Sequence, residues 1–295
     1  MTRLLVPFSP YILLISFLSR APLSLLHAVG ALLGWCAFLL SPAYRRRFTA
    51  NAAFAGYRFA DVGKAVGHAG RMVAELPRLW WGAAPRWTWN DDGCIADAYA
   101  AGRGILFLTP HLGGFELSPQ ALAADFGERH GPMTVLYRPA RQPWLARRMA
   151  TARERPYLQA VPTTLAGVRG LLRALRRGEA VGLLPDQVPP DGMGVWVPFF
   201  GQPAYTMTLA ARLAQQSGAT VLLAWTERLP LGRGFVVHVR PRPSALPKDL
   251  TAATAALNID MENMIRLRPD QYLWGYARYK QPRALPPVPT PGGGT

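Results

Sequence analysis

The chain has 295 residues, half of them hydrophobic, with 33 Lys+Arg against 17 Asp+Glu and a net charge of +16. That length suits one large domain with an attachment, and so strong an imbalance among so few charges points to an anionic partner: nucleic acid, an anionic membrane surface or a phosphorylated substrate. Two cysteines, Cys36 and Cys94, outside any CxxC spacing, argue against a disulfide framework or a zinc site.

Residues 11–18 are apolar, and a second run from Ala21 to Pro42 carries no formal charge. The second run is about as long as a helix needs to cross a hydrocarbon core. Arg45, Arg46 and Arg47 follow it, placed to meet lipid phosphates on the cytoplasmic side. A cleaved signal peptide is the weaker reading, because no small-x-small site follows. A buried helix of a soluble protein also fits; a membrane-anchoring helix over 1–47 is the expectation taken here. Residues 49–90 read as helical, on apolar positions such as Ala52, Val62, Val66, Met72 and Leu76, and end in a tryptophan-rich stretch. The domain proper is expected over 48–282.

From residue 100 the pattern becomes strand, loop, helix. Ile105–Leu108 reads as a strand buried on both faces, and Leu117–Phe126 as a helix. Met133–Tyr137 follows as a strand, with helices over 144–154 and 165–177. Ala180–Leu184 is the next strand, Thr208–Ser217 a helix, and Thr220–Thr226 and 234–239 are strands before a late helix over 251–266. Alternation of this kind predicts an α/β layered sandwich with a mostly parallel central sheet flanked by helices. The Pro- and Gly-rich residues 283–295 read as a disordered tail.

In open α/β sheets, sites gather where strands deliver their C-terminal ends. "TPHLGGFE" follows one such end. His111 there is a candidate general base, and Glu116 a candidate partner that keeps one ring nitrogen protonated. Gly113 and Gly114 permit a tight turn, and their backbone N–H groups are oxyanion candidates. "YRPARQPWLARRMATARER", residues 137–155, is rich in arginine and has no lysine; guanidinium groups there suit phosphates and carboxylates. Asp186 and Gln187 follow the buried strand in "LLPDQ", again a site position. Phe199-Phe200-Gly201 reads as an apolar wall with a hinge. No nucleophile elbow, dinucleotide fingerprint, P-loop or HExxH occurs, the five histidines are scattered, and no nucleic-acid module is visible. Neither metal nor cofactor is expected.

These blocks resemble the late acyltransferases of lipid A biosynthesis, within the lysophospholipid acyltransferase group. The resemblance runs in family order through "NAAFAGY" (51–57), "HLGGFE", "YRP" (137–139), "LLRALRRGEAVGLLPDQ" (171–187), "VPFFG" (197–201) and "PDQYLWGYARYK" (269–280). It implies a glycerolipid acyltransferase-like fold at the cytoplasmic face of a bacterial inner membrane. It further implies transfer of a fatty acyl chain from acyl carrier protein, or acyl-CoA, to a hydroxyl of a phosphorylated glycolipid, the Kdo-bearing lipid A precursor. By position His111 and Glu116 match the family dyad. An arginine after "YRP", Arg153 or Arg155 with Arg153 preferred, matches a catalytic position. Arg138, Arg155, Asp186, Gln187, Arg278 and Lys280 are implied substrate contacts. Tyr276 and Ala277 depart from the family's Trp-x-His-Arg-Arg pattern, which leaves a lysophospholipid or another glycolipid open as acceptor. Two rivals of other classes remain, a basic membrane-anchored binding protein with a dead site and a nucleic-acid binder. The intact His-x4-Glu motif opposes the first, the apolar N-terminus and the missing modules the second.

Overall fold

The computed structural model describes residues 10–91, 93–137 and 155–284. Five N-terminal helices come first: α1 (Pro10–Arg20), α2 (Leu23–Leu40), α3 (Pro42–Phe54), α4 (Phe59–Val62) and α5 (Lys64–Trp81). Ser41 caps α3 by accepting from the Tyr44 N–H, and Pro42 opens that helix where a missing N–H costs nothing. α2 is the one helix among the described residues long and apolar enough to cross a membrane, with a mean hydropathy of 2.0. Leu32, Leu33, Leu39 and Leu40 on it are exposed. Its inner face packs on α5 at glycine level: a Cβ on Gly70 would lie 1.9 Å from the Gly30 carbonyl oxygen. Small residues at such a crossing let two backbones approach closely. α3 runs across residue 47, and its Phe48 and Ala52 belong to the main core.

The rest is a seven-stranded sheet with helices on both faces. In chain order it holds β1 (Trp87–Asn90), β2 (Ile105–Leu108), β3 (Met133–Tyr137), β4 (Leu158–Pro162), β5 (Ala180–Leu183), β8 (Thr220–Arg228) and β9 (Phe235–Pro241). The spatial order is β1-β9-β8-β2-β5-β3-β4. Every pairing is parallel except β8 with β9, so the mostly parallel sheet flanked by helices is as expected. Central β2 and β5 are buried along their whole length, as their continuous apolar sequences require. α6 (Cys94–Ala100) and α7 (Ser118–His130) cover one face. α8 (Leu165–Arg176), α9 (Leu209–Ser217) and α10 (Leu250–Leu267) cover the other, with α3.

Three segments differ from the sequence reading. Residues 87–90 are a strand, not the end of a helix. The period-two alternation in Trp87-Thr88-Trp89 puts both indoles on one face, where both Nε1–H groups donate to Asp125 Oδ2 at 2.7 Å. β4 went unforeseen because its sequence, LQAVP, is short and ends in proline. The supposed hinge at Phe199–Gly201 is a hairpin turn between β6 (Gly194–Phe199) and β7 (Gln202–Met207). Phe200 and Gly201 both have positive φ, 46° and 72°, which a two-residue turn of this hand demands. Phe200 tolerates that conformation because its N–H donates to Glu262 Oε1 at 2.7 Å and its ring is buried. The helix expected over 144–154 and the tail from 285 lie outside the described residues.

Candidate active site

The C-terminal ends of β2 and β5 are adjacent, and each continues into a short loop that carries one half of the site. After β2, the main chain of Thr109 is still held by Leu183 of β5. Pro110 then turns the chain and presents His111. After β5, Leu184-Pro185 deliver Asp186, which is 1% exposed. Asp186 Oδ1 meets His111 Nδ1 at 2.6 Å, and Asp186 Oδ2 accepts the His111 backbone N–H at 3.0 Å. Both oxygens of one carboxylate thus fix one residue. Tyr272 adds its hydroxyl, donating to Asp186 Oδ2 at 3.4 Å. Gln187 Nε2 stands 3.0 Å from His111 Nε2.

These partners define the tautomer. An ionised carboxylate only accepts and an amide NH2 only donates. Nδ1 therefore carries the ring proton, and Nε2 presents its lone pair. Burial by itself pushes the Asp186 carboxyl up. Its electrostatic coupling to the His111 ring, the side-chain and backbone hydrogen bonds from His111 and the nearby Arg278 charge outweigh burial and hold it below the usual carboxylate range. Tyr272 moves the opposite way: burial and then the Asp186 charge raise its phenol well above 10. It stays a neutral donor.

The carboxylate on the His111 ring is therefore Asp186 and not Glu116. Glu116 lies five residues on, in the turn before α7. There it accepts the Trp80 Nε1–H at Oε2, 3.2 Å away. It also lines an apolar pocket between the sheet and α7. Phe107, Phe115, Leu122, Met133, Val135, Gly182 and Ala224 form much of its wall. Phe115 packs edge-on to His111 with ring centroids 4.8 Å apart, so the imidazole stands beside the pocket.

The remaining expected residues fall into two groups. Gly113 has φ +58° and passes so close to β8 that a Cβ would sit 1.9 Å from the Thr226 oxygen. Here glycine is obligatory. Both N–H groups of the pair are already used, Gly113 on Gln271 O at 3.1 Å and Gly114 on Thr226 O at 2.8 Å. They are latches for the turn, not an oxyanion hole. Arg278 is also committed elsewhere. It is 2% exposed, donates to Tyr205 O at 2.8 Å and Thr206 Oγ1 at 2.6 Å, and lies over the Phe199 ring. It holds the hairpin, and reaches the site through its field on Asp186 and Tyr272. Arg155 caps the end of α5, with Nη2 directed at the carbonyls of Leu79, Trp80 and Gly82 at 3.0–3.4 Å; a cation there suits the helix dipole. Both guanidinium groups, expected at the substrate, are thus engaged by groups of the protein itself. Lys280 sits over the Tyr276 ring at 5.2 Å. Arg138 and Arg153 lie outside the described residues.

Tyr276, the departure from the family pattern, is built into the site's support. Its hydroxyl accepts the Val188 N–H at 3.0 Å, one residue beyond Gln187. Asn51 Nδ2 in turn donates to the carbonyls of Trp274 and Tyr276, both at 2.7 Å. "NAAFAGY" and the 274–280 segment, remote in sequence, together hold the loop that carries Asp186.

A buried carboxylate, the histidine it holds and an apolar pocket at the C-terminal edge of a mostly parallel sheet are the layout of an α/β enzyme. The family model for bacterial lipid A biosynthesis acyltransferases matches residues 9–281, and the chain belongs to that family. It is 31% identical over 195 residues to a lipid A biosynthesis lauroyltransferase of Escherichia coli K12, covering 65% of this chain and 61% of that protein. It is 27% identical over 179 residues to the palmitoleoyltransferase of the same organism, with 60% and 56% covered. A phosphatidylinositol mannoside acyltransferase of Mycobacterium tuberculosis CDC 1551 is 30% identical over 166 residues, with 54% and 49% covered. The chain thus spans between about half and three fifths of these relatives' lengths.

Proposed function

We propose that this protein is a membrane-bound O-acyltransferase. It moves a fatty acyl chain from acyl carrier protein, or from acyl-CoA, to a hydroxyl of a phosphorylated glycolipid of the Kdo–lipid A precursor type. The observation that carries the reading is the Asp186–His111 pair standing at the edge of an apolar pocket. Membership of the family supports the reaction class.

The acceptor hydroxyl displaces the Gln187 amide from His111 Nε2. As its oxygen attacks the thioester carbonyl, its proton passes to Nε2, while Asp186 stabilises the imidazolium that forms. The tetrahedral intermediate then collapses. The C–S bond breaks, and the leaving thiolate recovers the proton from Nε2 as a free thiol. No covalent acyl-enzyme is needed. General-base help of this kind is worth about 10²- to 10⁴-fold in rate. In this scheme Glu116 works from the mouth of the pocket, positioned by Trp80, and Arg153 remains a candidate for stabilising the oxyanion. The acyl chain lies between the sheet and α7. The apolar α2 and the arginines after it seat residues 1–47 in an anionic inner membrane, with the domain over 48–282 at its cytoplasmic face. The glycerolipid acyltransferase-like architecture belongs to the same reading.

The pocket predicts chain-length control. A Cβ on Gly182 would meet Met133 Cε at 2.6 Å and Val135 Cγ1 at 3.2 Å, inside the pocket wall. Gly182→Leu is expected to move preference to donors about two to four carbons shorter, since overpacking a filled wall costs about 1–3 kcal/mol. Competition between thioesters of different length, read by the mass added to the acceptor, checks it. An unshifted preference places the chain elsewhere.

A second acceptor class is favoured by two observations. The mannoside acyltransferase relative acts on a different glycolipid, and Tyr276-Ala277 depart from the lipid A pattern. The deciding experiment offers membranes containing the protein a donor thioester and, in separate reactions, the Kdo-bearing precursor, a lysophospholipid and a mannosylated phosphatidylinositol. Acylation of the Kdo-bearing precursor alone upholds the first reading. Acylation only of another acceptor moves the assignment to that lipid.

A further inference from the structure

A charged network lies behind the catalytic turn and takes no part in the proton transfer. Arg228, the last residue of β8, is 2% exposed. Its guanidinium grips Glu75 of α5 through both carboxylate oxygens, Nε to Oε2 at 2.8 Å and Nη2 to Oε1 at 2.6 Å. The same Nη2 donates to the Gly113 carbonyl at 2.9 Å. Glu75 Oε2 also meets His27 Nε2 of α2 at 2.8 Å. The Arg228 backbone is committed to the same place. Its N–H donates to Gln271 Oε1 at 2.9 Å and its carbonyl accepts from Gln271 Nε2 at 3.1 Å, while Gln271 O receives the Gly113 N–H.

Stability alone is a poor reason for this arrangement. A buried ion pair contributes little over apolar residues of the same volume. What an apolar pair lacks is a fixed donor aimed at Gly113, two residues after His111. A bidentate carboxylate is what holds a guanidinium in one plane.

We propose that Arg228 is a positioning residue for the acyl transfer: by holding the Gly113 carbonyl it fixes the turn that carries His111 to Asp186, with Glu75 and His27 orienting it. This rests on His111 being the base. It also makes a continuous connection, His27–Glu75–Arg228–Gly113, from the apolar helix α2 to the catalytic turn.

The test uses the full chain in detergent micelles. Glu75→Gln/Arg228→Met removes both charges of the bidentate pair at nearly constant volume, and the new amide at position 75 can still meet the His27 ring. Arg228→Lys keeps a charge near Glu75, but one ammonium cannot span both carboxylate oxygens and the Gly113 carbonyl. Three quantities are read: the thermal midpoint, deuterium uptake of the peptide 109–117, and kcat with KM for the thioester. The double variant is expected to keep its midpoint within a few degrees, exchange faster over 109–117 and lose about 10- to 100-fold in kcat at unchanged KM. Arg228→Lys is expected to lose kcat to a similar degree. A folded double variant with wild-type exchange and wild-type kcat overturns the proposal. Should the double variant not fold, Arg228→Lys decides, wild-type kcat overturning it and a tenfold loss upholding it. If the wild type transfers no acyl chain at all, the proposed function has failed, and loop exchange in the double variant still decides the positioning role: faster exchange upholds it, unchanged exchange overturns it.

Discussion

Asp186→Asn is expected to lower kcat by about 10²- to 10⁴-fold while leaving the fold intact. The substitution is isosteric, so the buried site at the end of β5 need not repack. Its effect is on the tautomer. If the new amide presents its NH2 to the ring, Nδ1 must accept, the ring proton moves to Nε2, and the base has no lone pair for the acceptor hydroxyl. If it presents its oxygen, the tautomer survives, but the imidazolium forms without a counter-charge 2.6 Å away. Both orientations lose rate. Turnover measured by mass spectrometry, beside a thermal midpoint that shows the variant folded, checks this. A kcat within about threefold of wild type would return the ring's partner to Glu116 or make the base superfluous.

Arg228→Met alone is expected to be among the most destabilising single changes in the protein. It strands Glu75, which is 1% exposed, with His27 as its remaining ion-pair partner. Breaking one side of a buried pair costs about 3–5 kcal/mol, or a fall in thermal midpoint of order 10 °C for a chain of this size. Burial pushes the Glu75 carboxyl up, but the Arg228 charge and hydrogen bonds, and then His27, hold it below its ordinary value. Because the folded value is depressed, the stabilisation is present above the unfolded value of about 4.3. It is lost as pH falls through the folded one. Melting curves at neutral and acid pH test both statements: the gap between wild type and variant narrows on acidification. A gap constant with pH would mean that packing of the long side chain, and not charge, is what the substitution removes.

The sequence carried the architecture further than the site. Runs such as Ile105–Leu108 and Ala180–Leu183 are continuous and apolar, and a strand buried on both faces has no other signature. Trp87-Thr88-Trp89 carried an equally clear period of two but sat at the end of helical segments, and the tryptophans drew the reading toward packing. At the site, His111 and Asp186 were both visible because each follows a buried strand. Their pairing was not, since it depends on β2 and β5 being neighbours across some 75 residues of chain. His-x4-Glu is a local pattern and drew Glu116 to the ring, whereas the shorter reach runs across the sheet. The protein partners of Arg278 and Arg155 were hidden for a related reason. A guanidinium looks alike in sequence whether it meets a phosphate or the carbonyls of a hairpin or a helix end. Glu75 and Arg228, 153 residues apart, left no local signal at all.

Wild type and His111→Ala are each mixed with an acyl carrier protein thioester and a Kdo-bearing lipid A precursor for a single turnover, and intact masses of both lipid and protein are followed in time. With wild type the lipid is expected to gain one acyl chain, with His111→Ala that gain falls by at least about 10²-fold, and the protein mass never changes. An acylated protein that forms and decays in step with product, or transfer at the wild-type rate without His111, would contradict direct transfer with His111 as the base.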